Sequence, residues 1–362
     1  MKFNQKIFLN EILPTLKKLV SIPSVNGNEH KIADYVAKYL SKVGFKVEKI
    51  PVTGCGPTVF AQHKFGPKGL NLLFYGHLDT VKPTDGWRYP PFKPTIKHGL
   101  LYGLGACDMK GGVAAILTAA KKIKKMGLKG SLTVLLVSDE ELYSRGCFGL
   151  IRSGKLKNVD AAISAEPTGL GRMEIGKVGR IVYEVWVNGG KFKVNPIIDV
   201  SKFILNLKND LTVLALGGGE EFLSKPNSCR IILDKKLKLG EDGRIVLNQL
   251  KNLVFKLGLK SRFKIKIFRR PTPYMKPYMV NKKHRIVKVL EEACFKVKGF
   301  KPRKVLGLWA GDENYLVKEA NIPTVVLGPE GGNVHTANEY VKLSSVVDTA
   351  NIYVEAAKLF LS

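Results

Sequence analysis

Apolar positions recur at helical spacing over residues 5–20 and 28–43, so the chain is predicted to open with two amphipathic helices, the second after the turn-forming Asn26-Gly27-Asn28. Short apolar or β-branched runs bounded by Gly or Asp follow at residues 70–75, 131–137, 161–164 and 324–327. A helical stretch at 112–126 separates the first two, which is an α/β pattern. From about residue 176 to 282 the texture changes to more strands, fewer helix formers in register and dense Lys and Arg. An amphipathic helix resumes at 284–297, and a last one is expected at 345–360. The economical organisation is a catalytic α/β domain in two parts, residues 1–175 and 283–362, interrupted by an inserted α+β domain at 176–282.

Composition narrows the setting. The 362 residues hold no repeat of fixed period, and the N-terminal MKFNQKIFLNEILPTLKKL alternates apolar with charged residues, unlike a signal peptide or a spanning helix. No membrane partner and a cytoplasmic location are expected. Five scattered cysteines without C-x-x-C spacing read as reduced thiols rather than a disulfide framework or a cysteine zinc knuckle. The outlier is a formal net charge of +29. Its basic residues run through strand-like sequence such as SRFKIKIFRR (261–270), with no zinc-finger or RNA-binding aromatic signature, so nucleic acid is not the expected partner.

Candidate chemistry gathers where the buried strands end. The first runs into Gly76-His77-Leu78-Asp79, the second into Ser138-Asp139-Glu140-Glu141, the third into Glu166-Pro167, and the fourth is followed by a glycine-rich loop and His335. Open α/β sheets place their chemistry at these carboxyl ends. Asp108 joins them from GLGACDMKGG, residues 103–112. That stretch fails as a dinucleotide fingerprint because the sixth position is Asp108, which would repel a pyrophosphate. It fails as a Walker loop because Gly111 follows Lys110. Each residue alone has an ordinary explanation as a cap or a solvated face. Together, hard carboxylates and imidazoles on one rim are the ligand set of a zinc-type hydrolytic site.

GHLDTV, GLGACDMKGG, SDEE, AEPT and the late His335 followed by Asn338-Glu339 resemble, in order, the di-zinc hydrolase family that includes acetylornithine deacetylase, succinyl-diaminopimelate desuccinylase, carboxypeptidase G and aminoacylase. The resemblance implies a catalytic α/β domain with a central mixed sheet and an inserted lid or dimerisation domain, through which a homodimer would form. It implies two divalent metal ions, zinc with cobalt as the alternative, bridged by Asp108, with His77 and Glu166 completing one site and Glu141 and His335 the other. Glu140 would take the proton from water, Asp79 would orient the imidazole of His77, and the Asp108–Met109 peptide would be cis.

Two regions depart from the family pattern. Its relatives carry a lid histidine that helps bind the oxyanion, whereas NGGKFKVNP stands here at 188–196 and no histidine occurs from 176 to 282. Asn195, Lys191 and Lys193 are the substitutes available. Asp234-Lys235-Lys236 stands where an Arg is often found. Residues 176–282 also hold 22 Lys and Arg against 8 Asp and Glu. A basic lid suggests an acidic macromolecular substrate, which matches the branch of the family that releases lysine or ornithine from the terminal glutamate of an acidic amino-group carrier protein in lysine and arginine biosynthesis. The alternative is a deacetylase, desuccinylase or carboxypeptidase acting on a small N-acyl amino acid or peptide.

Overall fold

The computed structural model describes residues 3–189, 194–219 and 223–362, and side chains from residue 9 onward. Two compact units emerge: Met1–Gly176 with Met279–Gly307 and Gly311–Ser362, and Lys177–Tyr278 with Leu308–Ala310. No helix among the described residues is long and apolar enough to cross a membrane.

The first unit is built on a mixed sheet. Its centre runs Ser131–Val137, Asn71–His77, Ala161–Ser164, Thr324–Val326, all parallel to their neighbours. On one side Thr58–Lys64 and Lys46–Ile50 extend it antiparallel, and on the other Arg172–Lys177 also runs antiparallel. Asn71–His77 and Ser131–Val137 are buried at every residue, which is why they read as continuous apolar runs rather than alternating ones. Helix Gly111–Ile123 packs on both strands and against Leu343–Phe360. It is apolar nearly all round because it is enclosed nearly all round. Its approach needs Gly112, where a Cβ would stand 2.3 Å from the Ala165 carbonyl oxygen.

Four parallel strands share one carboxyl edge, so the segments after His77, Val137, Ser164 and Val326 emerge side by side. A second, small sheet stands near that edge. Thr95–Lys97, Leu100–Tyr102, Tyr340–Lys342 and Gly331–Gly332 form it, with Tyr340–Lys342 antiparallel to Leu100–Tyr102. These four strands, of two or three residues each, carry no apolar run or period to detect, and sequence analysis misses them.

The second unit is a four-stranded antiparallel sheet in the order Leu211–Gly218, Ser228–Leu237, Gly179–Asn188, Arg262–Ile267. One face alternates into a core of Tyr183, Val185, Ile231, Leu233 and Ile265 covered by helices Pro196–Leu205 and Gly243–Lys256 through Phe203, Val246 and Leu250. The other face carries Arg180, Trp186, Arg230, Arg262, Lys264 and Lys266. Part of this charge is matched within the sheet: Glu184 pairs with Arg230 at 2.6 Å and Lys266 at 2.9 Å, and Asp234 with Arg180 at 2.7 Å.

The residues flagged as departures have local duties here. Asn195 caps helix Pro196–Leu205, its side-chain oxygen accepting from the Ile197 N–H at 3.0 Å. Lys191 and Lys193 lie outside the described residues. Lys235 is buried and its ammonium meets Asp210 and Glu241 at 2.8 and 2.9 Å. Lys236 lies over the Trp309 ring, 3.4 Å from its centre.

Candidate active site

The parallel strands bring His77, Glu140, Glu141 and Glu166 to one rim, and two turns deliver Asp108 and His335 between them. Asp108 is the centre. One of its carboxylate oxygens is 3.0 Å from Nε2 of His77, and the other is 3.3 Å from Nε2 of His335. Glu166 stands 3.5 Å from the same His77 nitrogen, and Glu141 is 3.0 Å from His335. Ligand atoms of His77, Glu140 and Glu166 lie within 4.8 Å of one another, as do those of His77, Asp108 and Glu141. All seven residues read from the sequence, Asp79 included, therefore meet in one place.

Local backbone explains how Asp108 gets there. Gly105 has φ 75°, and a Cβ on it would stand 2.6 Å from Thr80, so the position accepts glycine alone. Asp108 and Met109 leave helical geometry, with φ/ψ of −113/94° and −129/33°, and their shared peptide is cis. Beyond them Gly111 begins the buried helix. The glycines of GLGACDMKGG thus serve the aspartate. His335 has a left-handed φ of 60°, as do Asn333 and Asn338 on either side of it at 56° and 62°. Asparagine tolerates this region better than most residues; for a histidine it is uncommon and marks a held conformation.

Asp79 does something other than expected. Its main-chain carbonyl, not its carboxylate, receives Nδ1 of His77 at 2.9 Å; the carboxylate is 3.8 Å away. The carboxylate instead accepts from the backbone N–H groups of Glu140 at 3.1 Å and Glu141 at 3.0 Å, and from the Asn26 amide at 3.3 Å. The physical reason is reach: Asp79 lies just past the strand end, and the turn after Val137 offers it two buried N–H donors that need an acceptor. It sets the direction of the two glutamates as well as the imidazole.

Several contributors were not legible beforehand. Asn26, read only as part of a turn, also donates to Asp139 at 3.0 Å. Asp139 accepts from Nε of Arg145 at 2.6 Å and so locks the SDEE turn to the start of the next helix. Behind the rim, buried Asp312 accepts from the Tyr75 hydroxyl at 2.6 Å and Glu313 from Ser164 at 2.5 Å. An acidic pair just after a glycine-rich stretch, AGDEN, was the available signal.

Electrostatics show what the site suits. Burial pushes the carboxyls of Glu140, Glu141 and Glu166 up, and the charges of Asp312 on Glu140 and of Asp108 on the other two add to it. Burial would also raise Asp108, but the imidazoles of His335 and His77 override it and hold that carboxyl far below its usual range. The neighbours Asp108 and Glu141 push His335 up to about 10. Four carboxylates crowd two imidazoles, His77 buried and His335 half-exposed. Divalent cations fit that set, since buried charges must be paired or coordinate metal. The donors are oxygen and nitrogen only, which suits zinc and other first-row ions over soft metals.

Comparison with known proteins agrees with this chemistry. The model of Peptidase family M20/M25/M40 matches residues 73–359. A succinyl-diaminopimelate desuccinylase of Wolinella succinogenes is 27% identical over 95% of this chain and 98% of its own. Among solved structures, aminopeptidase PepT of Bacillus cereus superposes with a TM-score of 0.82 at 18% identity, covering 98% of this chain and 99% of the other. The YXEP protein of Bacillus subtilis, a dinuclear metal binding peptidase, does so with a TM-score of 0.78 at 16% identity, over 98% and 99%. With the family model spanning most of its length and the rim residues gathered as described, this chain belongs to peptidase family M20/M25/M40, the metal-dependent hydrolases of amide and peptide bonds.

Proposed function

We propose that the chain is a two-metal hydrolase that frees an amine from an acyl group carrying its own carboxylate, as in an N-succinyl diamino acid. The observation that carries it is Asp108, whose two oxygens face His77 and His335 separately. His77, Asp108 and Glu166 would hold one divalent ion, and Asp108, Glu141 and His335 the other. Zinc is the proposed ion, with cobalt as the substitute. Bound there, such ions supply Lewis acidity toward the amide carbonyl and toward water.

The chain's own residues do the rest. Glu140 handles the proton: its backbone is fixed by Asp79, and its raised carboxyl suits taking a proton from water and passing it to the leaving amine. His77 keeps its Nδ1 on the Asp79 carbonyl, which leaves Nε2 as the donor atom. Buried Asp312 and Tyr75 back the site, the Tyr75 hydroxyl donating to Asp312 at 2.6 Å.

The substrate class rests on the similarity to succinyl-diaminopimelate desuccinylases, at 26–27% over 95–97% of the chain in three relatives. A second reading, the acidic amino-group carrier protein, is favoured by the basic inserted unit. In that reading Arg262 and Lys264, exposed on the open sheet face, attract the carrier. The exposed edge strand Leu211–Gly218, with Leu214 and Leu216 open to solvent, supports a homodimer.

Release of diamino acid from N-succinyl, N-acetyl and carrier-linked γ-glutamyl substrates, with zinc present, separates the readings. Fastest turnover of the N-succinyl compound is expected. If only the carrier-linked amide turns over, and Arg262→Glu with Lys264→Glu raises its KM alone, the carrier reading replaces the first. If no amide is cleaved with zinc or cobalt, both fall.

A further inference from the structure

We propose that Glu339 is a positioning residue: it clamps the turn carrying Asp108 to the loop carrying His335, so that the bridging carboxylate and a ligand of the second site are placed together. Glu339 lies four residues past His335 and is 1% exposed. One carboxylate oxygen accepts from the backbone N–H groups of Cys107 at 2.8 Å and of Asp108 itself at 2.9 Å. The other accepts from Gly105 at 2.8 Å. The Glu339 carbonyl accepts from Gly103 at 3.0 Å. Four backbone donors of one turn thus end on one residue.

That turn satisfies itself only in part: the Ala106 N–H meets the Gly103 carbonyl at 3.1 Å and the Lys110 N–H meets the Gly105 carbonyl at 2.8 Å, which leaves the N–H groups of Gly103, Gly105, Cys107 and Asp108 to find acceptors elsewhere. Gly105 is left-handed and Asp108 and Met109 are outside helical geometry, so a helical i→i−4 acceptor is not in place for these N–H groups. An acceptor must come from elsewhere, and a carboxylate offers two oxygens with room for several donors. The small sheet brings it: Tyr340 pairs with Tyr102, one residue before the turn, and Glu339 follows as the next residue out.

The consequence is at Asp108. Its carboxylate stands 3.0 Å from His77 and 3.3 Å from His335 on opposite oxygens, and its amide is one of the clamped donors. A residue that orients a metal ligand in this way changes metal affinity by roughly 10–100-fold when removed.

This inference rests on the two-metal reading above, and the experiment keeps the two apart. Wild type, Glu339→Gln and Glu339→Ala are stripped with a chelator and titrated with zinc by calorimetry; melting temperature, kcat and KM are recorded beside it. Glu339→Gln retains an oxygen for Cys107 and Asp108 but turns an amide toward the Gly105 N–H, so it is expected to fall between the others. Glu339→Ala should bind at least one zinc about tenfold or more weakly, with kcat falling and KM little changed. Wild-type zinc affinity at both sites in the two variants, with only a lower melting temperature, would mean that Glu339 is structural and overturn the proposal. Should Glu339→Ala not fold, Glu339→Gln with two wild-type zinc affinities and wild-type kcat overturns it equally. If wild type itself takes up fewer than two zinc ions, the two-metal reading fails and this inference with it.

Discussion

Nδ1 of His77 lies 2.9 Å from the carbonyl oxygen of Asp79 and 3.8 Å from the nearer oxygen of its carboxylate. The imidazole therefore donates to main chain, and the Asp79 side chain is spent on the N–H groups of Glu140 and Glu141. Replacing Asp79 by Ala leaves the carbonyl in place, so His77 keeps its tautomer while the two glutamates lose their anchor. We expect kcat to fall roughly 10–100-fold, with Asn between Ala and wild type. Steady-state kinetics with metal analysis check this. Loss of metal at the His77 site alone, with Glu141 still binding, would show that the carboxylate acts on the imidazole after all.

Glu140 and Glu141 are adjacent and differ in role. Glu141 meets His335 at 3.0 Å, whereas Glu140 faces His77 and Glu166. Glu140→Ala should lower kcat by roughly 10²–10⁴-fold with two metals still bound. Glu141→Ala should bind one metal fewer. Elemental analysis of the purified variants decides it, and equal metal loss in both would make Glu140 a ligand.

Metal uptake should release protons. Asp108 and Glu141 hold His335 protonated up to about 10, and Glu166 and Asp108 raise His77 against its burial. A metal binds neutral imidazole, so each histidine must shed its proton on binding. Apparent affinity is then expected to increase as pH rises from 6 to 8, because removing protons favours the form that binds. Calorimetry at pH 7 in buffers of different ionisation enthalpy should show about two protons or more released when both sites fill, those of the two histidines and whatever the raised carboxyls of Glu141 and Glu166 still hold. Binding without proton release would count against histidine ligation.

Lys235 gives the inserted unit a pH window. Burial opposes its charge, but Asp210 and Glu241 prevail and raise its pKa, while the pKa values of both carboxyls are lowered. A depressed carboxyl stabilises the fold above its unfolded pKa, and that contribution fades as pH falls through the folded value. A raised lysine stabilises below its unfolded pKa and loses this as pH rises through the folded one. Stability from this triad is therefore expected from about pH 5 to about pH 10. Lys235→Met, which leaves two carboxylates without their cation, should cost about 2 kcal/mol at neutral pH and less near pH 3. Thermal melts across pH test both signs.

How far the sequence reaches depends on the range of the forces involved. Strands Ser131–Val137 and Ala161–Ser164 were legible with their ends because continuous apolar runs bounded by Gly and Asp admit little else, and helix Gly111–Ile123 was legible to within one residue at its start and three at its end. Parallel strands share a carboxyl edge, so His77, Glu140, Glu141 and Glu166 could be placed on one rim before any coordinates. Residue type and motif order carried Asp108 and His335. What the chain order could not say is which polar atom meets which. Asp79 turned from the imidazole to two amides because tertiary packing brought the SDEE turn within 3.1 Å of it. Glu339 reached across more than 230 residues to the Gly105–Asp108 turn because a three-residue strand pairing, too short to leave a pattern, carried it there. Hydrogen bonds are decided over tenths of an ångström, whereas hydrophobic patterning records only which side of an element is buried; the first belongs to the folded structure, the second to the sequence.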